Sequence, residues 1–218
     1  MRRGRRPLAV LILAAALVAS ACGATSDDRA VPAGPQPVAA AGEAAPAAVP
    51  RLPVTVTDVA GRAVTVNDVS RVVVLNGDVA EIVFALGLGA NVVATDISAT
   101  HPAEAKALPK IGYQRTLNAE GILAQNPTLV LGDEGAGPPA VLDQLRSAGV
   151  AVVQLATGKD IATPPAKIRS VAAALGVAEA GERLAAATAA EIDSARRAAE
   201  VRAAAKRPRV AFLYVRGT

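Results

Sequence analysis

The 218-residue sequence predicts an α/β fold, a doubly wound parallel sheet followed by a long helix. Short apolar runs at 71–75, 91–95, 128–131 and 150–155 recur with helix-forming segments between them. The run through Val72-Val73-Val74-Leu75 is continuous rather than alternating, as expected of a strand buried on both faces. Ala178 to Ala205 then runs 28 residues without proline and is rich in Ala, Glu and Arg, which favours helix on propensity alone.

The first element is not part of the fold. Residues 1–21 open with Arg2, Arg3, Arg5 and Arg6, continue through an apolar run from Leu8 to Val18 and end in small residues, the layout of a secretory signal. The apolar run is short for a permanent bilayer span. The paired arginines lack twin-arginine surroundings, so general secretion is expected. Removing these four arginines from 23 basic residues leaves 19 against 19 acidic ones. A nucleic-acid partner therefore loses its electrostatic support. Cys22 is the sole cysteine, which excludes an internal disulfide. Ala19-Ser20-Ala21-Cys22-Gly23 resembles a bacterial lipobox, with Ala19 where that pattern prefers Leu. Cys22 is therefore expected to be acylated and to anchor the protein on the outer face of the cell membrane. Residues 22–53, dominated by Ala, Pro, Gly and Ser, read as a disordered tether.

The body follows over 54–160. Val54–Thr57 and Ala63–Val66 alternate at period two around an Ala-Gly turn, a hairpin. Arg71–Leu75 is a strand, and Val79–Leu86 a helix with Asp78 at its start and Gly87 at its end. Asn91–Thr95, Thr128–Leu131 and Val150–Leu155 are strands; Ala119–Ala124 and Pro139–Ala148 are helices. Residues 161–207 form a helical linker, with helices at Pro165–Leu175 and Ala178–Ala205, Gly181 being an early break. Val210–Val215 is a new strand, so 208–218 reads as the start of a truncated second lobe.

Enzyme chemistry finds few parts. Gly87-Leu-Gly89 follows a helix and lacks a third glycine, so it is a helix end and turn rather than a dinucleotide site. Gly132-Asp-Glu-Gly135-Ala-Gly137 lacks the Lys-Ser/Thr of a phosphate loop, yet follows a strand and suits a ligand-facing loop. With one histidine, and one cysteine expected to be acylated, His/Cys metal clusters and a Cys–His dyad are excluded within one chain. What remains is the tyrosines, two in a chain that is 2% aromatic. Tyr113 falls between a strand and a helix. Tyr214 and Arg216 lie two apart on a predicted strand and so share a face. A guanidinium beside a phenol favours the phenolate, which otherwise forms only near pH ~10. Tyrosine oxygen is an axial ligand of haem iron in some proteins.

The segment LPKIGYQRTLNAEGILAQNPTLVLGDEGAGPPAVLDQLRSAGVAVV, Leu108 to Val153, resembles the N-terminal lobe of haem-binding proteins serving bacterial ABC importers, the HmuT type. The likeness runs from about Val72 to Val215. It implies a two-lobed periplasmic-binding-protein architecture joined by a rigid helix, with only the first lobe complete here. It implies a monomer that binds and hands over haem and is not an enzyme. By this resemblance Tyr113 and Tyr214 are the axial ligands, Arg216 supports Tyr214, and Glu120 docks onto the permease. His101 reads as an exposed loop histidine near the cleft. A cobalamin or ferric-siderophore carrier of the same architecture is the alternative, disfavoured by the absence of tryptophan.

Overall fold

The computed structural model describes residues 48–203 and 209–213. The expected signal segment, Cys22, most of the tether, Tyr214 and Arg216 lie outside them.

The first two strands, β1 (Val54–Thr57) and β2 (Ala63–Val66), pair antiparallel with Val54 opposite Val66. Their turn is built on Asp58, whose carboxylate accepts from the Ala60 and Arg62 amides and from Arg62 Nε, each at 2.9 Å. A four-stranded parallel sheet follows, made of β3 (Val72–Val74), β4 (Val92–Thr95), β5 (Leu129–Asp133) and β6 (Ala151–Leu155) in the spatial order β4-β3-β5-β6. The helices are α1 (Gly77–Ala85), α2 (Ala103–Ala107), α3 (Ala119–Leu123), α4 (Pro139–Ser147), α5 (Thr163–Ala174) and α6 (Ala178–Ala203).

The strand order creates the place where a ligand can enter. The chain leaves β3 for β4 on one side, then crosses back to β5 on the other. The loops after β3 and β5 therefore diverge, opening a crevice at their carboxyl ends. The pleat of the central strand sorts the core into two layers. Val72 and Val74 join Val79, Val83, Val171 and Leu175 of α1 and the α5 region. Val73 and Leu75 face the other way, into Ile122, Leu142 and Leu145 of α3 and α4.

Most expected elements appear within one or two residues of their predicted ends. Gly87 and Gly149 close α1 and α4 with φ of 78° and 85°, as helix-ending glycines do. Three expectations change. The five-residue helix α2 lies inside a segment read as loop. Residues 210–213, four of the six in the predicted strand over 210–215, carry no strand and are exposed, because the run has no neighbouring strand among the described residues to satisfy its backbone. Gly181 does not break a helix. It lies inside α6, buried, where a Cβ would overlap the Cβ of Ala172 on α5.

That contact explains how a core poor in aromatics closes. Small residues let α5 and α6 approach backbone to backbone, with Arg169 and Glu182 paired across them at 2.9 Å. Beyond residue 192 the described side chains of α6 are exposed. Replacing Gly181 with Ala should force the two helices apart and cost about 1–3 kcal/mol of stability. Urea denaturation measures this; an unchanged midpoint would show that the crossing has slack.

Candidate functional site

The crevice between β3 and β5 is furnished by four loops. After β4 the chain turns through Asp96, Ile97 and Ser98. Residues 109–112 then run back parallel to the end of β4. The Thr95 amide donates to Pro109 O at 3.0 Å, Ile111 N to Thr95 O at 3.0 Å and Ile97 N to Gly112 O at 3.0 Å. Gly112, at φ 95°, swings the chain out of this ladder in a conformation that side chains resist. Tyr113 stands immediately after that swing, 42% exposed.

Tyr113 is held from both sides. Its own carbonyl accepts from Thr116 N at 2.9 Å, closing a turn. Gln114 O accepts from Gly137 N at 2.9 Å, and Leu117 N donates to Gly137 O at 3.0 Å, which ties the loop to the turn after β5. The Gln114 side chain reaches inward to the buried Asn76. Two more exposed apolar side chains follow strands at the sheet's carboxyl edge, Ile97 after β4 at 55% and Ile161 after β6 at 59%. Arg115, two residues on, is exposed and brings its guanidinium against Gly135, 3.5 Å from where a Cβ would stand. Among the described residues it has no ion pair.

Deeper in, Asp96 is fully buried. Its Oδ1 accepts from Ser98 Oγ at 2.7 Å and Ser98 N at 3.2 Å, while Oδ2 has no partner. Ser98 Oγ in turn accepts from Gly77 N at 2.9 Å, at the start of α1. Lys110 Nζ donates to Thr95 Oγ1 at 2.7 Å and to the carbonyls of Ala99 and Ala105 at 2.9 Å, pinning the same loop. Burial pushes the Asp96 carboxyl above its usual value of 3.8; the Ser98 hydroxyl and amide, the Gln114 backbone and the Lys110 ammonium pull it back less strongly.

The other predicted residues are placed as follows. Glu120 is exposed in the first turn of α3, whose amides at Glu120 and Gly121 are capped by Asn118 Oδ1 at 2.8 and 3.3 Å. His101 is exposed in the loop before α2, not among the residues that hold Tyr113. Tyr214 and Arg216 are outside the described residues. A groove of about 640 Å³ between β1 and the α5–α6 corner, lined by Val54, Val56 and Ala180, lies away from Tyr113. No group of three or more His, Cys, Asp or Glu side chains gathers at metal-binding spacing among the described residues. Asn76, Gln114, Asp133 and Arg115 are participants that sequence reasoning missed. Arg115 left a signal, a cation two residues from the tyrosine, and Asp133 lay in the glycine-rich run read as a ligand-facing loop.

An open parallel sheet with an exposed, anchored phenol at its switch point defines a ligand-binding α/β lobe. Residues 72–217 match the periplasmic binding protein family, to which the chain belongs. Among solved structures it is similar to the periplasmic heme-binding protein RhuT from Roseiflexus sp. RS-1 in apo form, at 56% identity and a TM-score of 0.57, covering 59% of this chain and 49% of that one. It is similar also to the heme-binding protein HmuT, at 41% identity and a TM-score of 0.63, covering 68% and 48%. A vitamin B12-binding protein of Yersinia pestis (strain Pestoides F) is 36% identical over 69 residues, 32% of this chain and 25% of its own length. The chain spans about half the length of the solved relatives and a quarter of the curated one.

The Asp96 geometry has a consequence for stability. The folded protein holds this proton more tightly than the unfolded chain, so the group favours folding most at acid pH. That contribution is lost as pH rises from about 3.8 through the raised folded value. Asp96→Asn removes it, so urea midpoints should show the variant gaining on the parent protein as pH rises from acid to neutral. A difference that stays constant with pH would mean that Asp96 titrates alike in both states.

Proposed function

We propose that this protein captures haem outside the cytoplasm and delivers it to an ABC import permease. The observation that carries the reading is Tyr113, a solvent-reachable phenol fixed on both sides at the sheet's switch point. A phenolate oxygen ligates haem iron directly, and Ile97 and Ile161 offer apolar contact to a porphyrin beside it. Arg115 supplies a cation on the same loop, which favours the carboxylates that a porphyrin carries. Binding and release, rather than bond-making, are then the whole task.

Tyr214 completes the coordination from the far side of the cleft, and Arg216 holds it ionised. Support comes from the heme-binding protein HmuT, for which variants replacing a tyrosine and the arginine two positions after it have been solved, the spacing of Tyr214 and Arg216 here. A variant replacing a histidine has been solved too. Glu120, exposed on α3, is the contact for the permease. Acylation of Cys22 tethers a monomer to the membrane, with residues 22–53 as the tether, 54–160 as the lobe, 161–207 as linker and 208–218 entering the second lobe.

A cobalamin cargo is the second reading, favoured by the similarity to the B12-binding protein. A platform of large aromatic rings cannot be built here, because the chain has no tryptophan and two phenylalanines.

Titrating the full-length, two-lobed protein with ferric haem should give the visible charge-transfer band of tyrosinate ligation. Tyr113→Phe should weaken and shift that band, leaving the share due to Tyr214, and lower affinity about tenfold or more, ~1.4 kcal/mol. An unchanged spectrum removes Tyr113 from the site, and a larger thermal shift with cobalamin than with haem replaces the cargo. Arg216→Ala should move haem release to higher pH, because a phenol without its cation takes up a proton sooner; an identical pH titration would deny Arg216 that role.

A further inference from the structure

Asn76 occupies the residue before α1, where an asparagine ordinarily caps the helix with its side chain. Here it makes no capping bond. The work is done by others: Gly77 N donates to Ser98 Oγ at 2.9 Å and Val79 N to Asp78 Oδ1 at 2.9 Å. Gly77 has no Cβ, and one would stand 2.6 Å from Ser98 O, so the glycine admits the serine that replaces the cap. A strong local preference is therefore overridden, and neighbours compensate. Such departures concentrate where a structure serves function.

The freed carboxamide turns into the crevice. Asn76 Nδ2 donates to Asp133 Oδ2 at 2.8 Å and to Gln114 Oε1 at 2.7 Å, and Asn76 Oδ1 accepts from Asp133 N at 2.9 Å. The amide orientation follows from its partners, since a carboxylate only accepts and a backbone N–H only donates. The same Asp133 shapes the next turn, its Oδ1 accepting from Gly135 N at 2.8 Å, and that turn presents Gly137 N to Gln114 O. Gln114 is thus gripped by its side chain and by its carbonyl, and both grips lead back to the Asn76–Asp133 pair. No other side chain of this length supplies two donors and an acceptor; aspartate has no donor and would set a second carboxylate against Asp133.

We propose that Asn76 is a positioning residue, whose buried carboxamide sets where the Tyr113 phenol stands by tying Gln114 to the ends of β3 and β5. This rests on the reading of Tyr113 as the ligand-contacting residue. It adds a requirement that the loop be anchored before ligand arrives, since binding then need not pay for ordering it.

The test uses the full chain and two variants. Asn76→Ala removes the hub; Gln114→Ala removes only the arm to the tyrosine loop and leaves the Asn76–Asp133 contacts, so it remains informative if the first variant fails to fold. In ligand-free protein, amide hydrogen exchange at Thr116 and Leu117 should quicken about tenfold in Gln114→Ala, while the β1–β2 hairpin is unchanged. With ferric haem, Gln114→Ala should weaken binding several-fold and shift the charge-transfer band. In a Tyr113→Phe background it should cost nothing further. Unchanged exchange overturns the proposal, as does an equal affinity loss in both backgrounds. If the full-length, two-lobed protein takes up no haem, the haem reading falls, and exchange alone decides whether Asn76 positions the loop.

Discussion

The central strand Val72–Val74 is fully buried on both faces and hydrogen-bonded on both edges, by β4 on one side and β5 on the other. A strand in that position needs a helical layer above and below it. Covering both faces requires the chain to reverse direction across the sheet. The reversal separates the loops that leave β3 and β5, and the gap between them is the candidate ligand crevice. The candidate binding surface is thus a consequence of how the valines are buried rather than an addition to the fold.

A crevice made in this way exposes polar strand ends to a low-dielectric interior, and the two buried side chains there meet that problem differently. Asn76 is satisfied three times over, by a carboxylate, an amide N–H and a glutamine oxygen. Asp96 is satisfied on one oxygen and bare on the other. A fully connected polar network stiffens its surroundings, whereas an unpaired buried oxygen costs stability. The lobe accepts the second cost beside the loop that carries Tyr113.

The scarcity of aromatic residues has two effects. The core closes through small side chains, with Gly181 against Ala172 letting α5 and α6 touch nearly at the backbone. Rings are then not needed as packing material. Tyr113 stands at the surface, its position defended by hydrogen bonds to its neighbours on both sides rather than by burial of its own ring.

The hairpin, the four parallel strands and their principal helices were legible in the amino-acid sequence because each is written in a local code: period-two alternation, continuous valine runs, a glycine at a helix end. Tyr113 was legible too, as a rare residue between two elements. The helix Ala103–Ala107 was not, because five residues carry no periodicity. Residues 210–213 looked like part of a strand because propensity is local, while pairing depends on a neighbour. The true role of Gly181 depended on a helix nine residues away in sequence. The anchoring of Tyr113 was hidden most completely, since Asn76 meets Gln114 and Asp133 across 38 and 57 residues. Sequence by itself determined which segments are strands and helices; only the tertiary structure decided that an asparagine would leave its helix uncapped and bind Gln114 and Asp133 instead, because hydrogen bonds between distant residues exist only after the strands have been brought side by side.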